Sequence, residues 1–197
     1  APGRLDFLNT HQDYKGLPVV GIAINLRTYV AIKINASSKG HEIESLNLNK
    51  RVYVESLNIT KKDFSDYVLS TIKSFYKSLG KTLDKSFKIV ISSDVPIGKG
   101  MGSSGALEVA VAKGLSEVLK LGLPPNRIAE IAYQAENFIM GIPCGRLDQY
   151  TSAYGGIVKI SPRPPVIVEK LEWPSKIKII VVDSGIEHRT AKVHPIR

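Results

Sequence analysis

Pro96-Ile97-Gly98-Lys99-Gly100-Met101-Gly102-Ser103-Ser104-Gly105-Ala106 follows the β-branched run Phe87-Lys88-Ile89-Val90-Ile91-Ser92 and precedes an apolar stretch reaching Leu121. The pattern predicts a strand over 87–92, a glycine-rich turn, and a helix from about Ala106 to Leu121. Glycines let backbone N–H groups crowd against a ligand, and a helix start adds unpaired donors and the positive end of its dipole. Such a turn grips a phosphate without relying on side-chain charge, and Ser104 adds a hydroxyl for a phosphate or a metal. No Gly-Lys-Ser/Thr follows the glycines, so this is not a Walker loop. The glycine spacing does not suit a dinucleotide-binding turn either. A flexible Gly/Ser connector is the bland alternative, but a connector does not need four glycines and two serines against a strong helix.

Outward from this turn, both periodicities recur. Residues 17–35 read as two strands with a bend near Asn25 to Thr28, and Val52–Leu57 as another short strand. Thr60 and Asp63 resemble a capping box for a helix carrying Phe64, Tyr67, Val68, Ile72, Phe75 and Leu79 on one face, with Gly80 as its stop. Its aromatics are assigned to the core. Asn126 is expected to cap a helix running to about Met140, and a short helix near Arg146–Asp148 ends at Gly155-Gly156. Strands are expected over Ile157–Ile160, Val166–Glu169 and Ile177–Asp183. Strands and helices do not alternate strictly, which favours an α+β fold over a doubly wound sheet.

The 197 residues, 43% hydrophobic and 23% charged, suffice for one domain with a sizeable core. No run approaches ~18 apolar residues, so no membrane span is expected. A lone Cys144 excludes an internal disulfide framework. The first residues lack a basic-then-apolar leader pattern, and the cytoplasm is the expected compartment. Net charge is +9, with 27 Lys+Arg against 18 Asp+Glu. The basic residues are scattered singly or in pairs such as Lys50-Arg51, without interleaved aromatics, so nucleic acid is not the expected partner.

Residues 96–106 resemble the second motif of the GHMP kinases, written Pro-x-Gly-x-Gly-Leu-x-Ser-Ser-Ala/Gly. Two further stretches narrow the resemblance to the galactokinase family. Ala1-Pro2-Gly3-Arg4-Leu5-Asp6-Phe7-Leu8-Asn9-Thr10-His11-Gln12-Asp13-Tyr14 is similar to that family's opening signature. Gln134-Ala135-Glu136 with Gly141-Ile142-Pro143-Cys144-Gly145-Arg146-Leu147-Asp148-Gln149 is similar to its third, sugar-proximal segment. The resemblance implies a GHMP kinase N-terminal domain, α+β, with a mixed sheet, helices packed on one side and a left-handed β-α-β crossover. It implies ATP and Mg²⁺ as cofactors, and phosphoryl transfer to the C1 hydroxyl of galactose or a related monosaccharide. Pro96, Gly98, Lys99, Gly100, Met101, Gly102, Ser103, Ser104, Gly105 and Ala106 match the ATP cradle. Asp148 matches the catalytic aspartate and Arg4 the arginine beside the transferring phosphoryl group. Ser104 and Glu136 match the magnesium ligands, and Thr10, His11, Asp13, Gly145 and Asp148 the sugar contacts.

The chemistry is coherent without the name. Phosphoryl transfer asks for a phosphate cradle, Mg²⁺, a cation, and a carboxylate to orient or deprotonate the hydroxyl. Mg²⁺ takes few protein oxygens beside phosphates and water, so one hydroxyl and one carboxylate form a sensible set.

Three departures from the family pattern carry expectations of their own. Thr10 replaces a glutamate and Asn9 a glycine, which opens the site to a pentose, uronic acid, amino sugar or different hexose. Arg4-Leu5-Asp6 also resembles arabinose kinases. Arg146 replaces an apolar residue and either adds a cation or pairs with an acidic substrate group. The chain ends at Val193-His194-Pro195-Ile196-Arg197, where galactokinases enter their C-terminal domain. Residues 1–197 are therefore expected to be the N-terminal ATP- and sugar-binding domain, with little or no turnover alone. The rival readings are a GHMP kinase for mevalonate or homoserine, a catalytically silent sugar sensor, and a basic nucleic-acid module. Oligomeric state stays open.

Overall fold

The computed structural model describes residues 1–35, 39–60, 63–174, 176, 178–183 and 185. Among these residues, seven strands and four α-helices follow in the order β1 (Pro2–Leu8), β2 (Val19–Ile34), β3 (His41–Ser45), β4 (Lys50–Val54), α1 (Ser65–Ser78), β5 (Phe87–Ser93), α2 (Ser103–Val118), α3 (Pro125–Gln134), α4 (Leu147–Tyr154), β6 (Ile157–Ser161) and β7 (Ile167–Leu171). The sheet order is β4-β3-β5-β2-β6-β7, with β1 paired to β2 off this path. All pairings are antiparallel except β3 with β5. The sheet is therefore mixed, in an α+β domain, as expected.

Strand alternation explains why the helices cover one face. On β3, His41, Ile43 and Ser45 are buried while Glu42 and Glu44 are not. On β5, Phe87, Ile89 and Ile91 point into the same core as Val68, Leu69, Ile72 and Phe75 of α1 and Val109, Val111 and Leu115 of α2. Each such side chain contributes about 1.5–3 kcal/mol of burial. The opposite face carries a charge ladder instead, with Lys88 3.0 Å from Glu42 and Arg51 2.7 Å from Glu44.

Several boundaries differ from the sequence reading, each for a local reason. Residues 19–34 form one strand, not two, because neighbours hand over along its length: β6 pairs with 19–22 and β5 with 28–34. The expected bend is only this change of partner. The strand expected at 52–57 is β4, over 50–54, and β3 precedes it as an unforeseen hairpin partner. α1 starts at Ser65, not at a Thr60/Asp63 box. Asp66 accepts the Thr60 N–H at 3.1 Å, the Thr60 hydroxyl at 2.9 Å and the Asp63 N–H at 3.3 Å. α3 begins on Pro125 with Pro124 as its cap, so Asn126 does not cap it. Proline tolerates the first helical position because its missing N–H would be unpaired there anyway. α3 ends at Gln134 and gives way to a π turn, Ala135–Ile139. Of the strand expected over 177–183, Ile177 lies outside the described residues, and 178–183 form no strand.

Candidate active site

α2 starts at Ser103, three residues before the sequence suggested, with Gly102 as its cap. Gly98, Gly100 and Gly102 all have φ near +70° (71°, 72° and 67°), a conformation that a Cβ resists. The loop therefore delivers the free N–H groups of the first α2 turn, with Ser103, Ser104 and Gly105, to the helix's positive end. β1 lies directly against it: the Arg4 N–H donates to the Met101 carbonyl at 2.9 Å.

This backbone contact carries the Arg4 side chain across the loop. Its Nε and Nη2 donate to Asp148 Oδ1 and Oδ2, each at 2.7 Å, and Nη1 donates to the Gly100 carbonyl. Burial works against the Arg4 charge, but Asp148 more than compensates and raises its pKa further. Asp148 sits in the first turn of α4, which β2 holds closely. A Cβ on Gly21 would run into Thr151 Oγ1, and one on Gly102 would lie 3.4 Å from Asp148 Oδ2. The three motif stretches thus converge, although 144 residues separate Arg4 from Asp148.

They line one cavity of about 710 Å³. Arg4, Thr10, His11, Asp13, Gly98, Gly100, Gly102, Ser103, Ser104, Glu136, Gly145 and Asp148 border it. Pro96, Lys99, Met101, Gly105 and Ala106 do not. Lys99 reaches Asp183 at 3.0 Å, Met101 receives the β1 hydrogen bond, and Ala106 is fully buried. Gly105 packs against the Asp148 backbone and Cβ. Asn9 and His11, with φ of 61° and 62°, shape the loop behind β1. Asn9 tolerates that conformation where the family pattern has glycine, and its side-chain amide donates to the Pro18 carbonyl at 2.8 Å. Asp13 accepts the Leu147 N–H at 2.9 Å, and its carboxylate fills the place a Cβ on Gly145 would take.

Glu136 lies in the π turn, an uncommon local winding that recurs at functional sites. Its carboxylate accepts the Gln149 side-chain N–H at 2.7 Å and the Ser104 hydroxyl. Burial, then Asp148, pushes its pKa up to about 7, with Ser104 pulling the other way. Ser104 and Glu136 therefore present two hard oxygens side by side at the helix start. Among the described residues no cluster of three or more His, Cys, Asp or Glu could hold a metal alone. This donor set fits an ion such as Mg²⁺ that completes its shell with phosphate and water.

The sequence reading missed some of these residues and misplaced others. Glu108, fully buried in α2, lies beside Glu136 and Gln149, yet neither of its oxygens accepts a hydrogen bond of good geometry. Burial first, and Glu136 second, raise its pKa far above the usual carboxylate range. Phe64 and Tyr67, assigned to the core from helical spacing, line the cavity. Arg146 neither faces the cavity nor floats in solvent. It pairs with Glu130 at 2.9 and 3.0 Å, donates to the Pro162 carbonyl at 3.2 Å, and stacks 4.0 Å over the Tyr133 ring. Its side chain is only 16% exposed. Arg146→Leu should therefore cost about 1–3 kcal/mol of stability, because Glu130 loses its cationic partner in a half-buried site and keeps only the Tyr150 and Gln134 donors. Urea denaturation reads this directly, and an unchanged midpoint would show the pair to be decorative.

The family model described as "GHMP kinases N terminal domain" matches residues 66–156, and the "Galactokinase galactose-binding signature" matches residues 1–34. The chain belongs to the GHMP kinase superfamily. Within it, the chain is 37% identical to a galactokinase of Thermotoga petrophila over 191 residues, covering 95% of this chain and 53% of that protein. It is 36% identical to the L-arabinokinase of Arabidopsis thaliana over 125 residues, covering 62% of this chain and 12% of that protein. The crystal structure of Lactococcus lactis galactokinase complexed with galactose superposes with a TM-score of 0.75 at 25% identity, over 87% of this chain and 46% of that one. This GHMP chain spans about half the length of the galactokinases it matches. No helix among the described residues is long and apolar enough to cross a membrane.

Proposed function

We propose that this chain carries the ATP- and sugar-facing half of a sugar kinase. The kinase moves the γ-phosphoryl group of MgATP to the anomeric C1 hydroxyl of galactose or a closely related monosaccharide. The observation that carries this reading is the meeting of Arg4, Asp148 and the Gly98–Gly105 loop in one cavity. Phosphoryl transfer is mostly positioning and charge stabilisation, and these groups supply both.

The backbone N–H groups at the start of α2 hold the nucleotide phosphates. Ser104 and Glu136 would hold Mg²⁺, which would supply positive charge against that developing on the phosphoryl oxygens. Asp148 orients the C1 hydroxyl and takes its proton as the sugar oxygen bonds to phosphorus. The bond from phosphorus to the bridging oxygen breaks, and ADP leaves with that electron pair. Arg4 locks the Asp148 carboxylate in plane and sets a positive charge beside the reacting group. Thr10, His11, Asp13 and the Gly145 backbone bound the sugar. Leu48, Phe64, Ile91 and Ile97 also line the cavity and offer apolar surface suited to a flat base.

Thr10 and the Arg4-Leu5-Asp6 triplet favour a second reading of the acceptor, a pentose such as L-arabinose. ADP release by the intact protein, screened over galactose, arabinose, N-acetylhexosamines and uronic acids, separates the two. One neutral aldose should stand at least about tenfold above the rest in kcat/KM. Tight sugar and nucleotide binding with no ADP from any acceptor would instead identify a silent sensor.

A further inference from the structure

Asp6 sits on β1 two residues beyond Arg4, so both side chains leave the strand on the same face. It borders the cavity with Asp13 and Asp148. Those two aspartates are engaged: Asp148 by Arg4 on both oxygens, and Asp13 by the Tyr14 and Leu147 N–H groups, each at 2.9 Å. Asp6 Oδ1 differs. It is shut off from solvent and accepts no hydrogen bond. A buried acceptor left empty is a costly arrangement unless a ligand fills it.

Among the described residues that line the cavity, carboxylates outnumber cations. Arg4 is the sole Lys or Arg among them, and each of its three nitrogens already donates to Asp148 or Gly100. Arg146, in the sugar-proximal segment, is paired with Glu130 and the Pro162 carbonyl. A ligand carboxylate here would meet Asp6, Asp13 and Asp148 with no uncommitted Lys or Arg to receive it. We propose that Asp6 is a specificity-determining residue that accepts a hydroxyl or amino hydrogen from the sugar and excludes sugars bearing a carboxylate. The inference rests on the sugar-kinase reading above and names the substrate class for it. Burial lifts both the Asp6 and Asp13 carboxyls, with Asp148 adding to it and the Arg4 charge opposing it at Asp6.

The test compares kcat/KM of the intact protein for galactose, galactosamine and galacturonic acid, in the parent and in Asp6→Asn. Asparagine keeps the shape and an acceptor but removes the charge. The parent should use galacturonic acid at least about 100-fold less well than galactose, and Asp6→Asn should narrow that ratio about tenfold, mainly through KM. Asp6→Ser gives the same comparison should Asp6→Asn fail to fold. A ratio that stays put while galactose turnover persists overturns this inference alone. A parent enzyme that prefers galacturonic acid also overturns it. A parent that releases no ADP with any acceptor defeats the kinase reading, and this inference falls with it.

Discussion

Asp148→Asn should lower kcat of the intact protein by about three orders of magnitude, because an amide cannot take the proton from the attacking hydroxyl. The change is small in shape, and one oxygen still accepts from Arg4. The fold around the cavity should survive, at a cost of about 2–4 kcal/mol for leaving the Arg4 charge, only 13% exposed, half paired. Nucleotide affinity should move little, since the helix start and Ser104 are untouched. Single-turnover ADP formation beside equilibrium nucleotide binding separates these effects. Turnover within tenfold of the parent would remove Asp148 from the proton-transfer role.

Glu136→Gln should move stability and function in opposite directions. The folded pKa of Glu136 is about 7, against about 4.3 for an unfolded glutamate. Between those values the unfolded chain releases this proton first, so the native state binds more protons and stability falls as pH rises. Above about pH 7 the deficit is complete. Glutamine keeps an oxygen for the Gln149 donor and carries no charge. The variant should therefore be more stable by on the order of 3 kcal/mol above about pH 7, and indistinguishable below about pH 4. Loss of an outer hydrogen-bond partner alone weakens metal sites roughly 10–100-fold, so if Glu136 is the direct ligand proposed above, its loss should weaken divalent-ion binding at least that much. Urea midpoints across pH and Mn²⁺ titration in the presence of ADP check both halves. A variant less stable above about pH 7 would show that Glu136 is not held against its own charge. Such a trade of stability for a charged, desolvated ligand is common where a site must grip a cation.

The glycine turn and the helix behind it were legible because each encodes a local requirement. Glycine at 98, 100 and 102 answers a backbone conformation, and the serines behind it answer a helix start. Those needs are met within a few residues, so the sequence displays them. What depended on distant partners did not show. Arg146 read as an extra cation because its partner, Glu130, is on the preceding helix, 16 residues back. Phe64 and Tyr67 follow the helical apolar period, and that period names a face without saying whether a neighbour covers its N-terminal end. β3, with His41 and two glutamates in five residues, looks polar; His41 is buried against Phe87, its ring stacked at 5.8 Å and its Nδ1 accepting the Phe87 N–H at 3.3 Å. The start of α1 also drifted, because Thr60 and Asp63 read as a capping box, whereas in the fold Asp66 takes the Thr60 N–H and hydroxyl and the helix begins at Ser65.

By itself the sequence determined the glycine turn ahead of α2, the α+β class, and the presence of Arg4, Ser104, Glu136 and Asp148. Local backbone demands and short-range periodicity are written into neighbouring residues. Only the tertiary structure decided that Arg4 grips Asp148, that Arg146 is spent on Glu130, that Glu108 is sealed beside Glu136, and that Asp6 keeps an unfilled acceptor. Those facts depend on which charges lose their water together, and that is settled by packing between segments far apart in the chain.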